Sequence, residues 1–218
     1  MERYLQLAAH ENVRIANCTT AAQYFHLLRA QAELKDYQRP LIVMTPKSLL
    51  RHPLATSELA DLTGGRFRPV LEDEETREKA GSVERLILCS GKIYTELVAS
   101  EAREEDEGIT AIVRVELLSP FPKGEIKAVL DGYPELQEIV WVQEEPKNMG
   151  AWTYMEPRLR KLVDGQLTVR YVGKPARPSP AQGSAAFHKR EHAQIIRAAF
   201  KAAEESEEAT EREVERAG

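Results

Sequence analysis

The sequence has only two cysteines, no long apolar run and no excess of positive charge. Cys18 and Cys89 are the only cysteines in 218 residues, so we expect free buried thiols rather than a disulfide framework. No apolar stretch approaches the roughly 18 residues that a membrane span requires. The N-terminal segment lacks the basic start and apolar core of a signal peptide. We therefore expect a cytoplasmic protein that has no membrane partner.

A net charge of -5 without a basic patch argues against a nucleic-acid partner. Several catalytic signatures are also missing. The chain has no complete Gly-x-Gly-x-x-Gly or Walker pattern and no Gly-x-Ser-x-Gly elbow. These absences argue against a dinucleotide enzyme, a nucleoside-triphosphate enzyme and a serine hydrolase.

What the sequence does contain is an alternation of short apolar runs with helix-length segments. The predicted strands cover residues 13–17, 41–45, 86–89, 111–117, 139–143 and 167–172. Helices are predicted over residues 21–35, from 90 onward, from 122 to 132, over 149–163 and over 188–203, the first capped by Thr19 or Thr20. This order predicts an α/β fold, a mostly parallel sheet with helices on both faces.

Composition shifts divide the chain into four parts. Residues 1–52 hold one helix between two strands, too little to bury both faces of a sheet, and so predict the tail of a larger domain. Residues 53–82 are expected to be a connector, because Gly64-Gly65 and a run of acidic residues interrupt any periodicity. Residues 83–203 are expected to form a self-contained domain. Residues 204–218, with seven glutamates, are expected to be an acidic tail.

The segment 142–160, VQEEPKNMGAWTYMEPRLR, follows an apolar strand and changes abruptly to polar residues. In a parallel sheet this end of a strand is where ligands and partners are met. Glu144 and Glu145 are adjacent on an extended segment, so they are expected to point to opposite sides. Asn148 is expected to cap the following helix, and Trp152 to lie at a domain or subunit interface. We predict an interface formed by these four residues.

Three further groups of residues offer alternatives. Lys47, Arg51 and His52 follow a strand and could bind an anion, or could be the solvated cations of a short helix. Lys92 lies in the turn Cys-Ser-Gly-Lys after another strand, where a phosphate could bind. His188 and His192 match the His-x-x-Glu-His pattern of a zinc site, but their charged surroundings favour a solvent-facing or packing role, so no metal ligand is assigned.

Four longer runs resemble a known family. They are RPLIVMTPKSLLRHPLA at residues 39–55, ILCSGKIYTEL at 87–97, RVELLSPFP at 114–122 and VQEEPKNMGAWTYMEPRL at 142–159. They closely resemble the C-terminal part of the thiamine-diphosphate-dependent decarboxylating component of 2-oxoglutarate dehydrogenase, and the match extends from residue 2 to about residue 200.

The resemblance implies a transketolase-like C-terminal domain over residues 83–203, preceded by the end of a pyrimidine-binding domain at 1–52. The complete family enzyme decarboxylates 2-oxoglutarate in the tricarboxylic acid cycle and passes a succinyl group to the lipoyl group of a second component. It is a homodimer that uses thiamine diphosphate and Mg²⁺. Some relatives are activated by acetyl-CoA, for which Lys47 and Arg51 are the candidate contacts.

The chain lacks the residues with which the family binds its cofactor. Asp131-Gly132 lacks the first glycine and the later asparagine of the family's cofactor-binding segment, and the family's active-site histidines precede residue 1. We therefore expect no bound cofactor and no catalytic residue in this chain, whose role would be dimer assembly and completion of the active-site wall. Trp152→Ala is then expected to weaken assembly more than folding. The alternative is a stand-alone binding or regulatory module that has lost catalysis.

Overall fold

The computed structural model describes residues 1–36, 38–106, 108–181 and 183–201. The predicted acidic tail, residues 204–218, lies outside the described residues. The strands are β1 Arg14–Ala16, β2 Leu41–Val43, β3 Val70–Glu72, β4 Arg85–Cys89, β5 Thr110–Val115, β6 Leu117–Ser119, β7 Glu138–Pro146 and β8 Thr168–Lys174.

Helices lie between most of the consecutive strands. They are α1 Glu2–Gln6, α2 Ala21–Glu33, α3 Leu59–Thr63, α4 Glu74–Glu78, α5 Ile93–Val98, α6 Glu101–Glu105, α7 Lys123–Leu130, α8 Trp152–Val163 and α9 Ala185–Ala199. Short 3₁₀ turns cover Lys47–Arg51, Pro53–Ala55 and Ala80–Ser82. Within the described ranges, no helix is long and apolar enough to cross a membrane.

The larger sheet has five strands in the order β3-β5-β4-β7-β8. β4, β5, β7 and β8 pair in parallel, while β3 pairs antiparallel with β5 at the edge. Residues 86–89 of β4 and 139–142 of β7 are continuously apolar, as is typical of parallel strands buried on both faces. The predicted α/β fold with a mostly parallel sheet is confirmed.

Two apolar cores lie on opposite faces of this sheet. On one face, Trp141 and Leu86 pack with Met155 and Leu159 of α8. On the other, Ile87 and Val140 pack with side chains of α5 and α9, among them Ile93 and Ile196. Helices within residues 83–200 pack on both faces of the four parallel strands, and residues before 83, among them Leu5 and Ile15, add to the first core.

The expected connector, residues 53–82, contains more regular structure than the sequence predicts. It contributes β3, which completes the edge of the five-stranded sheet through pairs such as Leu71 with Arg114. Three residues are too few to produce an alternating pattern, and Pro69 precedes them, so the strand carries little sequence signal.

The N-terminal residues form a second, three-stranded sheet in the order β2-β1-β6. β1 and β2 pair in parallel, and α2 supplies the crossover connection that parallel pairing needs. The hydroxyl of Thr20 accepts a hydrogen bond from the Gln23 N–H at 3.3 Å, so the predicted cap of α2 is confirmed. The third strand, β6, comes from beyond residue 83 and pairs antiparallel with β1.

A buried carboxylate joins the two sheets next to this pairing. Glu116 is fully buried, and its side chain accepts hydrogen bonds from the N–H of Thr19 at 2.9 Å and from its hydroxyl at 2.5 Å. Burial raises the pKa of Glu116, while the hydrogen bonds of Thr19 and the charge of Arg114 oppose that shift. Nearby, the amide of Asn17 occupies the space where a β-carbon on Gly91 would lie. The segment after β1 is therefore fitted closely to the larger sheet.

Replacing Glu116 by alanine should lower the free energy of unfolding by about 2–3 kcal/mol, because the buried Thr19 N–H loses its acceptor. Urea denaturation at neutral pH measures this change. Glu125→Ala, which removes an exposed carboxylate on α7, is the control and should change stability by less than about 0.5 kcal/mol. Equal effects of the two substitutions would show that Glu116 does not tie the sheets together.

Candidate functional site at the carboxyl end of the parallel strands

The carboxyl ends of β4, β7 and β8 meet at one edge of the five-stranded sheet. Cys89 of β4 pairs with Val142 of β7, and Val142 pairs with Val172 of β8. The residues at and beyond the carboxyl ends of these strands, 90–92, 143–151 and 173–181, are therefore neighbours. We call residues 143–151 the strand-end segment, since they contain the polar run that the sequence singles out.

The buried side chain of Gln143 forms four hydrogen bonds that hold the strand-end segment in place. Its side-chain oxygen accepts hydrogen bonds from the indole N–H of Trp141 and the backbone N–H of Trp152, both at 3.0 Å. Its amide nitrogen donates to the carbonyl oxygens of Glu145 and Pro146, at 3.2 and 3.1 Å. One buried amide thus binds the end of β7 to the start of α8, which has no side-chain cap of its own.

Two glycines allow the chain to pack against this amide. A β-carbon on Gly150 would overlap the side-chain amide of Gln143. A β-carbon on Gly173, in β8, would meet the Gln143 carbonyl oxygen at 2.8 Å and the ring of Tyr171. Both positions therefore require a residue without a side chain, for space rather than for backbone conformation.

Glu144 and Glu145 face different groups, as their spacing predicts. The Glu144 carboxylate lies 3.0 Å from Nζ of Lys92. Glu145 faces the Met1 amino group and Lys174, whose charges partly offset its burial. Burial is the main cause that raises the pKa of Glu145, and the neighbouring Glu144 charge adds to it.

Lys92 is held between two carboxylates. Its Nζ lies 2.6 Å from Glu96 of the same helical turn and 3.0 Å from Glu144. Burial lowers the pKa of Lys92, but the hydrogen bonds and charges of Glu96 and Glu144 outweigh burial and raise it. The charge of Lys92 is already compensated, so the structure does not support the prediction that it binds a phosphate.

The two histidines of the His-x-x-Glu-His pattern lie on α9 beside this ion-pair group. Nδ1 of His192 is 3.0 Å from Glu96, and the rings of His188 and His192 are 5.6 Å apart. A shallow cavity of about 330 Å³ separates them from Lys92. In the described part of the chain, no three His, Cys, Asp or Glu side chains are grouped closely enough to hold a metal ion. His192 instead anchors α9 to α5.

The prediction that Asn148 caps a helix starting at residue 149 is wrong. α8 begins at Trp152, and Ala151 occupies the N-cap position. Asn148 instead pairs with the backbone of Arg177, accepting from its N–H at 2.9 Å and donating to its carbonyl oxygen at 3.0 Å. The exposed side chain of Asn148 therefore fastens the loop after β8 to the strand-end segment.

Trp152 is 3% exposed and packs within the chain, with its ring 5.3 Å from that of Tyr171. Its side chain is part of the core that α8 forms on the sheet. Trp152→Ala is therefore expected to destabilise this chain directly, by about 3–5 kcal/mol as for other buried aromatic truncations. This corrects the expectation that the substitution would mainly affect assembly.

Lys47 and Arg51 lie elsewhere, on the exposed 3₁₀ turn that follows β2. Neither forms an ion pair with a carboxylate of the residues that the structure describes. His52 uses Nδ1 to accept from the N–H of Leu54 at 3.3 Å, which caps the next turn. The short helix predicted as the alternative to an anion site is present, but it is a 3₁₀ turn.

Asp131 and Gly132 do not fit a cofactor site. The Asp131 carboxylate lies on the surface, where it pairs with Lys127 at 2.8 Å, and Gly132 follows the end of α7. Among the described residues, Asp131 is not part of any group of three His, Cys, Asp or Glu side chains that could hold a metal ion. The structure therefore provides no ligand set for Mg²⁺ and a diphosphate at this position.

Sequence reasoning did not identify Gln143, Glu96 or Tyr171 as members of this region. Gln143 had one available signal, since it is a polar residue at the end of a fully apolar strand. A buried amide at that position must find partners, and the following turn offers unpaired backbone groups. Glu96 and Tyr171 carry no comparable signal, because their roles depend on neighbours distant in sequence.

Gln143→Leu should lower the free energy of unfolding by about 2–5 kcal/mol, because the indole N–H of Trp141 and the N–H of Trp152 lose their acceptor. Chemical denaturation followed by tryptophan fluorescence measures the loss. Gln137→Leu is the matched control, since Gln137 is exposed just before β7. If both variants were equally stable, the buried amide would not organise the segment.

Acidification should weaken the docking of α9 through His192. Burial lowers the pKa of His192, Lys92 and His188 add to this shift, and Glu96 and Glu144 oppose it. Between the lowered folded pKa and the ordinary value of about 6.5, the unfolded chain takes up a proton that the folded chain does not. The contribution of His192 to the free energy of unfolding is therefore complete at higher pH and is lost as the pH falls through this interval.

Urea midpoints measured from about pH 7.5 to about pH 5.5 test this dependence. The stability difference between the original chain and His192→Gln should change over this range. His10→Asn is the control, because His10 is exposed and has a positive φ of 49° that asparagine tolerates. A constant difference for His192→Gln would contradict the proposed proton linkage.

Comparison with known proteins agrees with the resemblance read from the sequence. A family model described as the 2-oxoglutarate dehydrogenase C-terminal region matches residues 56–200, and one described as the transketolase pyrimidine binding domain matches residues 1–53. The 2-oxoglutarate dehydrogenase E1 component of Exiguobacterium sp. is 52% identical over 203 residues, which are 92% of this chain and 21% of that protein.

Similar E1 components from other bacteria give comparable values. The protein of Geobacillus kaustophilus is 50% identical over 202 residues, covering 92% of this chain and 21% of that protein. The protein of Bacillus licheniformis is 48% identical over 198 residues, covering 89% and 21%. The chain thus spans about a fifth of the length of the curated relatives that it matches. It belongs to the 2-oxoglutarate dehydrogenase E1 component family, in which it corresponds to the C-terminal region.

Proposed function

We propose that this chain serves a 2-oxoglutarate dehydrogenase E1 component as its C-terminal assembly region. In the complete enzyme, 2-oxoglutarate is decarboxylated and a succinyl group passes to the lipoyl group of the succinyltransferase component. The observation that carries this proposal is the strand-end segment, which Gln143 fixes from within while Lys147 and Asn148 stay exposed. Such a rigid polar segment at the carboxyl edge of a parallel sheet suits the wall of a shared active site.

The smaller sheet supports assembly with further protein. β2 is an edge strand of only three residues, with β1 on one side and no described strand on the other. On α2, the large side chains Tyr24, Phe25 and Leu28 are 42%, 45% and 44% exposed. Exposed apolar side chains and an open strand edge are each typical of an interface. We propose that the remaining part of an E1 component and the second subunit of a homodimer cover these surfaces.

Thiamine diphosphate and Mg²⁺ are proposed to bind to parts of the enzyme outside this chain. The surface position of Asp131 and its pairing with Lys127 support this view. No residue of the chain is therefore assigned a catalytic role, and we expect the chain alone to be inactive. Lys47 and Arg51 remain the proposed contacts of an acetyl-CoA effector, since both cations are exposed.

One observation favours the alternative of a stand-alone binding module. The five-stranded sheet has both faces covered by helices of this chain, so it does not need a partner to bury its core. The open edge of β2 argues in the other direction, because it lies outside that sheet. We therefore prefer the assembly role.

Reconstitution tests the proposal. The purified chain is mixed with a separately produced segment that corresponds to the other four-fifths of a relative, and the mixture is analysed by size-exclusion chromatography with light scattering. We expect a stable complex that decarboxylates 2-oxoglutarate only when thiamine diphosphate is present, whereas neither piece does so alone.

Paired variants locate the interface. Phe25→Glu with Leu28→Glu places charge on the exposed face of α2 and should weaken the complex at least tenfold while the chain stays folded. Lys123→Glu, on the exposed side of α7, should have no effect. A chain that remains a folded monomer in the mixture would refute the assembly role and favour the stand-alone module.

A further inference from the structure

A second cavity lies away from the strand-end segment, at the junction of the two sheets. It has a volume of about 600 Å³ and is bounded by α2, α3 and the residues that lead into β3. Its lining residues are Thr20, Ala22, Gln23, His26, Thr56, Ser57, Ala60, Asp61, Gly64, Gly65, Arg66, Arg68, Leu71 and Arg114. A cavity of this volume is in the range of small-molecule sites.

Three arginines give this cavity a positive charge. Arg66 and Arg68 come from the loop before β3, and Arg114 comes from β5. None of the three guanidinium groups pairs with a carboxylate in the described ranges. Asp61 is the one carboxylate among the lining residues, and its oxygen accepts from the N–H of Glu58 at 2.9 Å within the capping box of α3. With three guanidinium groups and one carboxylate among its lining residues, the cavity carries a net positive charge, which the buried Glu116 near Arg114 partly offsets.

Neutral contacts hold the walls of the cavity in place. The side-chain amide of Gln23 donates to the Arg68 carbonyl oxygen at 2.6 Å and accepts from the Arg68 N–H at 3.2 Å. A nitrogen of the Arg114 guanidinium donates to the Thr19 hydroxyl at 3.1 Å, and the guanidinium lies 4.3 Å from the centre of the Tyr94 ring. These contacts fix the backbone of Arg68 and the side chain of Arg114. The buried Glu116, bonded to the same Thr19 hydroxyl, partly compensates the charge of Arg114.

The wall formed by α3 is fixed to α2 in the same way. Nε2 of His26 lies 2.7 Å from the Asp61 carbonyl oxygen, and Arg29 donates to the Gly65 carbonyl oxygen at 3.1 Å. Gly65 has a φ of +82°, so the turn at this wall favours glycine. The cavity is thus formed before any ligand binds.

Two hydroxyl groups add neutral donors. Thr20 and Ser57 accept hydrogen bonds from the N–H groups of Gln23 and Ala22, at 3.3 and 2.9 Å. Each hydroxyl keeps its own proton, which can be donated to an acceptor in the cavity. Leu71, Ala22 and Ala60 provide apolar surface for the rest of a ligand.

We propose that this cavity is a binding site for a small phosphate ester. A phosphate monoester carries close to two negative charges and three acceptor oxygens, which match three guanidinium groups and two hydroxyl donors. A carboxylate has one charge and only two acceptor oxygens, so it would match fewer of these donors than a phosphate does. The volume also leaves room for an organic group attached to the phosphate. This site is distinct from Lys47 and Arg51, and it does not depend on the proposed assembly role.

Isothermal titration of this chain with phenyl phosphate tests the site, with sodium chloride used to hold the ionic strength constant. We expect one molecule bound per chain. Arg66→Gln with Arg68→Gln should weaken binding by about tenfold or more, because two charge-assisted contacts are lost. Both side chains are exposed, so the variant should keep the thermal stability of the original chain.

Lys47→Gln with Arg51→Gln is the matched control, since it removes the same charge from an exposed turn outside the cavity. It should bind phenyl phosphate as tightly as the original chain. The proposal fails if phenyl phosphate does not bind, if the two double variants lose affinity equally, or if only the control variant loses it. Equal affinity for benzoate would also overturn it, because the site would then not select phosphate.

Discussion

The parallel pairing of β4 with β7, buried on both faces, is the constraint on which the rest of this structure depends. Residues 86–89 of β4 and 139–142 of β7 are apolar, and the two strands stay in register from Arg85 with Glu138 to Cys89 with Val142. Because parallel strands end at the same edge, the turn after β4 and the segment after β7 are forced together. Lys92 then meets Glu144, although 52 residues separate them in the chain.

Polar groups at the boundary of this apolar core show a second constraint. A hydrogen bond contributes only about 1 kcal/mol net, but an unsatisfied buried group costs about 1–3 kcal/mol. Gln143 satisfies four groups at the end of β7, and Glu116 satisfies the N–H and hydroxyl of Thr19 where the two sheets meet. Both residues therefore select one arrangement of their segment, since other arrangements would leave these groups unpaired.

The sequence predicts the parts of this structure that rest on local pattern. The sequence predicts the apolar runs of β4, β5 and β7 and the Thr20 cap of α2, because each of these features depends on residues that are neighbours in the chain. The edge strand β3 is not predicted from the sequence, because its extended conformation depends on pairing with β5, which is distant in the chain. Asn148 was misassigned for a related reason. The Asn148 side chain could accept a hydrogen bond at a helix start, but the Gln143 side chain already accepts from the N–H of Trp152. The Asn148 amide is instead hydrogen-bonded to the backbone of Arg177.

The location of anion sites is also hard to predict from sequence, because a lysine or arginine can bind an anion only where no carboxylate of the protein already compensates its charge. Residues 204–218 contain seven glutamates and two arginines, which account for the whole net charge of -5, so the remaining sequence is balanced. That balance is not uniform in space. Lys92 follows a turn that suggests an anion site, yet two carboxylates compensate it. Arg66, Arg68 and Arg114 share no motif, yet the fold brings them to one cavity. The pairing of β3 with β5 places Leu71 beside Arg114, and it brings the loop that carries Arg66 and Arg68 to the same region. The strand responsible, β3, was not predicted from the sequence.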